Sequence, residues 1–291
     1  MDTYNDIYLK ARKKLRAAGI VAHDLEARLI ISAATGKTRE ELVGFSRLFV
    51  TDSSISNDVD AMISRRLNGE PVAYIVGEWE FYGMPLVVNR TVLIPRIDTE
   101  VLAREAIRML RLRGGKLRML DLCTGSGAVG LAVAANIPDC RVVLADSSDD
   151  ALAICRTNML RTRLSRNTTA INVDVMDRPP ALLGIFDAIV CNPPYIPTKE
   201  LMELDMSVRD YEPVTALDGG EDGLDFFRAI IINWPTVLRE DGFIAFECGI
   251  GQASQVKEMM LEKGFTDVSS YYDTLEIERV IIGKRQSLTN V

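Results

Sequence analysis

Residues 119–134 read MLDLCTGSGAVGLAVA. An apolar run closes on Asp121 and Leu122. Three small residues, Gly125, Gly127 and Gly130, then punctuate the passage into a second apolar run with helical spacing. Such a strand, glycine turn and helix open a βαβ unit, because small residues permit a tight turn and a close approach of helix to strand. Working outward, β-branched and apolar runs recur at 118–122, 141–146, 169–173, 186–191, 242–248, 268–272 and 278–283. Helical segments at 128–137, 148–162, 223–233 and 251–264 separate most of them. That alternation predicts a doubly wound α/β sheet from Pro95 onward.

The glycines satisfy G-x-G-x-x-G, a pattern that a purely structural tight turn also produces. In a binding role, the loop lets a ligand approach the backbone, and the helix N-terminus behind it favours acidic groups. Asp146 closes the next strand, about 20 residues on, where a carboxylate accepts both hydroxyls of an adenosine ribose. These features suit NAD and S-adenosylmethionine alike. Asp121 weighs between them. A carboxylate at this strand end repels a diphosphate but attracts a cation, and S-adenosylmethionine carries an ammonium and a sulfonium. The segment DLCTGSG resembles the first motif of class I S-adenosylmethionine-dependent methyltransferases, with a nucleotide dehydrogenase as the alternative on this segment alone.

Residues 191–195 read CNPPY and end the apolar run FDAIVC. Pro193 and Pro194 remove two backbone donors and fix two φ angles, and Pro193 holds Asn192 out of the helical region. In a doubly wound sheet this strand end lies at the ligand-binding edge. Methylating an amide or exocyclic amine is hard because the nitrogen lone pair is delocalised. Two acceptors on the NH₂ group, the Asn192 side-chain oxygen and the Pro193 carbonyl, would orient it and stabilise its developing charge. Tyr195 offers a flat face to a planar group. The competing reading is a strand-terminating turn.

The rest of the chain sets limits. It has 291 residues and a net charge of −7, which argues against a broad basic surface for nucleic acid. The five cysteines are scattered and odd in number, which predicts no disulfide framework and no zinc site, and suits a reducing cytoplasm. No signal peptide and no membrane span are expected. His23 is the only histidine and sits at a helix start, so imidazole chemistry is not expected. Residues 1–70 read as a helical domain of four helices, two of them ending at Gly19 and Gly36, with a capping box from Thr38 to Glu41 and a last stop at Gly69 and Pro71. Residues 71–95 alternate aromatic and β-branched residues around Gly77 and Gly83, which predicts a β-hairpin linker to a third part, 96–291.

Across nearly its whole length the chain resembles the PrmC/HemK family of release factor protein-(glutamine-N5) methyltransferases. The resemblance rests on GEPVAYIVGEWEFYG (69–83), LIPRIDTE (93–100), DLCTGSGAVGLA (121–132), NPPYIP (192–197), YEPVTALDGGEDGLDFFRAI (211–230) and ERVIIGK (278–284). It implies an N-terminal helical bundle that recognises the substrate, a hairpin and a Rossmann-like methyltransferase domain. The implied donor is S-adenosylmethionine, with S-adenosylhomocysteine as product and no metal. The implied substrate is a class I peptide-chain release factor, methylated on the glutamine of its Gly-Gly-Gln loop, with no direct DNA binding. Asp121, Thr124, Gly125, Ser126, Gly127, Asp146, Asp174, Val175 and Asn192 would then bind cofactor. Asn192, Pro193, Pro194 and Tyr195 would hold the glutamine. Three positions depart from the family pattern: Cys123 for glycine, where only loop packing is expected to change, Ile97 for proline, and Val175 for an aromatic residue. Arg96, Asp98, Thr99 and Glu100 are expected at the pocket edge. The NPPY motif is shared with DNA adenine-N6 and cytosine-N4 methyltransferases, which remain the alternative reading. A non-enzymatic S-adenosylmethionine-binding protein is the third.

Overall fold

The computed structural model describes residues 2–286 and separates into two compact units. One comprises residues up to Glu78 together with Asp205–Tyr211; the other comprises Trp79–Leu204 and the chain from Glu212 on.

The first unit is helical: α1 (Tyr4–Ala17), α2 (His23–Thr35), α3 (Arg39–Gly44), α4 (Ser53–Leu67) and α5 (Val72–Val76), joined by the short α9 (Met206–Arg209). Capping boxes at Thr3/Asp6 and Thr38/Glu41 start α1 and α3. Ile7, Ala11 and Leu15 give α1 one buried stripe, which meets Ile30, Ile31, Val59 and Ile63 in the core. Buried Glu26 is held by Arg66 at 2.6 Å. Met206 covers Gly69, which has φ 97°: its Cε would lie 2.2 Å from an added Cβ. The Tyr211 hydroxyl donates to the Asn68 carbonyl at 2.9 Å.

This differs from the expected division at residue 70. Val72–Val76 is a helix rather than hairpin, because Pro71 suits a helix start and Gly77, at φ 76°, ends the turn in the left-handed region. Residues 205–211 carry no sequence signal that would assign them here.

The second unit opens, from Trp79, within a hairpin of β1 (Glu78–Phe81) and β2 (Met84–Val87). Its two-residue turn places Tyr82 and Gly83 at φ 51° and 75°, the combination that matches strand twist. Then come α6 (Thr99–Arg113), β3 (Leu117–Leu122), α7 (Ala128–Asn136), β4 (Cys140–Asp146), α8 (Asp149–Arg161), β5 (Thr168–Asn172) and β6 (Phe186–Cys191). The last part is α10 (Asp225–Asn233), β7 (Leu238–Glu247), α11 (Ala253–Glu262), β8 (Phe265–Tyr272) and β9 (Glu278–Arg285). The seven strands are ordered β5-β4-β3-β6-β7-β9-β8. Those from β3 to β7 run parallel, and β9 pairs antiparallel with β7 and β8. One apolar core contains buried residues of α6 and α7, and another those of α10 and α11, as a doubly wound sheet requires. β6 is buried along its whole length, so its apolar run has no alternation. The strand order reverses at β3, between β4 and β6, which makes the carboxyl ends of β3 and β6 the place where a ligand fits. No helix among the described residues is long and apolar enough to cross a membrane.

Candidate active site

A cavity of about 410 Å³ lies at that point of reversal. Asp121, Thr124, Gly125, Ser126, Asp146, Asp174, Val175, Asn192 and Pro194 line it, from the ends of β3, β4, β5 and β6. Gly127, Pro193 and Tyr195 do not. Gly127 is the N-cap of α7 at φ 86°, where an added Cβ would meet Cys155 Sγ at 3.1 Å. Its role is to turn the chain.

The glycine loop is held by two carboxylates. Asp121 accepts from the Thr124 hydroxyl at 2.6 Å and from Gly130 N–H at 2.9 Å. Burial pushes its carboxyl up to about 7 against those two donors, and the Asp146 charge adds to the rise. Asp146 accepts from Gly125 N–H at 2.8 Å and Ser148 N–H at 3.0 Å, and burial raises its pKa as well. Gly130 is required by space: a Cβ would sit 2.1 Å from Leu144 Cδ2 and 2.9 Å from Asp121 Oδ2. Gly130→Ala is therefore expected to lower stability by about 3 kcal/mol through overpacking. A denaturant midpoint equal to wild type would show that α7 can move away from β3.

Cys123 stands at φ 54°, in the left-handed region where glycine is unstrained. The departure from the family glycine thus touches backbone conformation as well as packing. Asp174 is exposed and caps Met176 N–H at 2.9 Å, while Val175 is buried and its carbonyl accepts from Trp234 Nε1 at 2.9 Å. The apolar wall continues through Val173, Pro213, Val214 and Phe226.

Asn192 donates through Nδ2 to the Thr99 hydroxyl at 3.3 Å. The Tyr195 hydroxyl donates to Glu247 Oε1 at 3.4 Å, and burial raises the phenol's pKa, so it stays a donor. The NPPY loop is clamped by the stretch 217–223. Ile196 N–H donates to the Leu217 carbonyl and Gly219 N–H to the Ile196 carbonyl, both at 2.9 Å. A Cβ on Gly219 would lie 2.7 Å from Tyr195 Cα, and one on Gly223 2.3 Å from the Tyr195 carbonyl oxygen. Gln252 Nε2 donates to that same carbonyl at 2.8 Å. These glycines explain the density of small residues in ALDGGEDG.

Of the expected edge residues, Thr99 lines the cavity. Arg96 pairs with Glu212 at 2.5 Å, Asp98 with Arg279 at 3.4 Å, and Glu100 accepts from Tyr82 N–H at 2.8 Å. Sequence reasoning missed Glu247, Gln252 and Asn158. The last is fully buried on α8, bonds both N–H and C=O of Val87, and donates to the Ser126 carbonyl at 2.9 Å. A polar residue inside an apolar run, as in GFIAFEC, was the available signal.

Comparison with known proteins matches this geometry. Residues 6–77 match the PrmC N-terminal domain family and residues 99–206 the methyltransferase small domain family. The chain is 33% identical over 283 residues to a release factor glutamine methyltransferase of Clostridium acetobutylicum, covering 97% of this chain and 99% of that one. It is 38% identical over 274 residues to one of Geobacter sulfurreducens, covering 94% and 93%. A crystal structure of a methyltransferase from Pyrococcus furiosus shares the fold, with a TM-score of 0.52 at 18% identity, over 77% of this chain and 98% of that one. With a methyltransferase sheet, an NPPY loop facing its glycine turn and relatives matched from end to end, the chain belongs to the release factor glutamine methyltransferase family.

Proposed function

We propose that this protein methylates the side-chain N5 of the glutamine in the Gly-Gly-Gln loop of class I peptide-chain release factors, using S-adenosylmethionine. The observation that carries the reading is that Asn192 shares one cavity with the glycine loop and both of its carboxylates.

The residues present fit the cofactor. Asp146 has lone pairs beyond its backbone donors for ribose hydroxyls. Asp121 is a buried carboxylate suited to a cation, and Val173, Val175 and Phe226 offer an apolar wall to a flat base. When bound, S-adenosylmethionine supplies an electrophilic methyl group on a sulfonium. The protein's part is orientation. Asn192 Oδ1 and the Pro193 carbonyl accept from the glutamine NH₂, two prolines fix these acceptors beforehand, and their dipoles favour the nitrogen as it becomes cationic. The proton leaves after that charge develops, so no strong base is needed. Pro194 borders the cavity, and Tyr195, anchored at its hydroxyl behind the lining, holds the NPPY loop in place.

Asp146→Ala is expected to weaken S-adenosylmethionine binding by roughly 1.5–3 kcal/mol, the value of hydrogen bonds to a charged acceptor. Calorimetric titration of the folded variant measures it. Unchanged affinity would remove Asp146 from the cofactor site.

A side-chain amide is common to every glutamine and asparagine, so specificity needs contacts remote from the reacting atom. The helical unit supplies them in this reading. Val43, Leu48 and Phe49 are apolar and 62%, 55% and 61% exposed. Phe49→Ser is expected to raise KM for intact release factor about tenfold, in the range of an interface anchor, and to spare a short glutamine-loop peptide. Equal effects on both substrates would place docking elsewhere. The whole proposal is tested by incubating the enzyme with labelled S-adenosylmethionine and, separately, release factor or DNA. Label on the release factor glutamine supports it; label on DNA alone replaces it with the amino-methyltransferase alternative. The enzyme is assigned to the cytoplasm, where release factors act.

A further inference from the structure

Glu247 ends β7 inside the core, 2% exposed, and its Oε2 is buried with no partner of hydrogen-bond geometry among the described residues. A carboxylate taken out of water needs charges and donors around it. Several groups face this one. The Tyr195 hydroxyl donates to Oε1 at 3.4 Å. The Thr99 hydroxyl, at the start of α6, favours the ionised form of the carboxyl. Arg279 on β9 favours that form too, and is itself held by Asp273 at 3.0 Å and Asp98 at 3.4 Å. Burial and the Asp98 charge oppose ionisation, and the carboxyl is pushed up to about 7. The neighbouring Cys248 thiol is pushed up to about 12 by burial and stays neutral.

Thr99 is also the group to which Asn192 Nδ2 donates. A hydroxyl has one proton to give and lone pairs to accept with. An ionised Glu247 can only accept, so it draws the Thr99 proton toward its unpartnered Oε2, which leaves the Thr99 lone pairs for Asn192. The Asn192 NH₂ is then fixed toward Thr99, and its oxygen is the end left for the target amide. We propose that Glu247 is a positioning residue for methyl transfer, setting through Thr99 which way the Asn192 amide points and through Tyr195 where the NPPY ring sits. This rests on the reading that Asn192 Oδ1 accepts from the glutamine amide.

A protonated Glu247 can donate to Thr99 instead. Thr99 is then free to donate toward Asn192, which favours the flipped amide, with its NH₂ facing the NH₂ of the target. Turnover therefore falls as pH drops through 7. Stability moves the other way. The folded pKa lies above the ordinary 4.5, so the folded state binds more protons between those values and this group's penalty is relieved on acidification.

The test is single-turnover methylation of release factor at saturating S-adenosylmethionine from pH 5.5 to 8.5, alongside thermal melts. Saturation removes the titration of Asp121 from the rate. Wild type is expected to lose activity as pH falls below 7 and to level off about tenfold down, near the rate of Glu247→Gln. Glu247→Gln is expected to be slower on the order of tenfold at pH 8, flat with pH, undiminished in Tm and normal in cofactor affinity. Thr99→Val should be slowed similarly, and the double variant no slower than the worse single, because both act on the same orientation of the Asn192 amide. A wild-type rate and pH profile in Glu247→Gln would overturn the inference, as would a loss that tracks a lowered Tm or an additive double variant. Should Glu247→Gln not fold, a wild-type rate in Thr99→Val overturns it alone. A wild-type enzyme that leaves release factor unmethylated would overturn the functional reading instead.

Discussion

Replacing Asn192 with alanine lowers the rate of methyl transfer to release factor roughly a hundredfold, the usual effect of removing one preorganised transition-state contact. Affinity for S-adenosylmethionine stays nearly the same, because the cofactor retains the glycine loop and both carboxylates that line the cavity. The fold is also preserved. Asn192 is only partly buried and gives up a single 3.3 Å hydrogen bond to Thr99. Single-turnover kinetics at saturating release factor separate this from a binding defect. A near-wild-type rate in the alanine variant would transfer the orienting role to backbone carbonyls alone.

Asp121→Asn has its largest effect on the cofactor. The amide keeps an oxygen for Gly130 N–H and Thr124, so the loop retains its shape, but the countercharge is gone. An ion pair in a partly screened site contributes a few kcal/mol, so affinity at pH 8 should fall roughly a hundredfold. The pH dependence gives the sharper reading. In the free protein the carboxyl sits at about 7, raised mainly by burial. A cation beside it favours the ionised form, so binding releases a proton, and affinity declines as pH falls below 7, by at most about tenfold per unit. In Asp121→Asn that slope disappears. Isothermal titration in buffers of different ionisation enthalpy counts the released proton directly; no release in wild type would mean that the cation lies elsewhere.

The sheet was readable because its central strands, such as β3 and β6, are continuous buried apolar runs, while helices such as α6 and α10 carry one apolar face. All seven strand positions follow from runs such as 141–146 and 278–283. The site was readable where chemistry coincides with a strand end, as at Asp121, Asp146 and Asn192. It was not readable where a residue acts by filling space or satisfying backbone. Gly219 and Gly223 matter because Tyr195 leaves no room for a side chain. Asn158 matters because two distant carbonyls and an amide converge on it. Glu247 looks like an interruption of an apolar strand until Thr99, Tyr195 and Arg279 surround it. The hairpin was displaced for a local reason: Gly77 ends a helical turn, and only Gly83 makes the strand reversal.

The helical unit is completed by residues 205–211, which the ribosome makes long after Glu78. At about 5–20 residues per second the interval is roughly 6–25 s. Through that time Gly69 has no Met206 against it and the Asn68 carbonyl has no Tyr211 hydroxyl. Synthesis order therefore does not let the amino-terminal part finish first. Its final closure waits until the strands through β6 have emerged, so a ribosome stalled before residue 205 should carry a helical unit more open to protease than the same unit in the released chain.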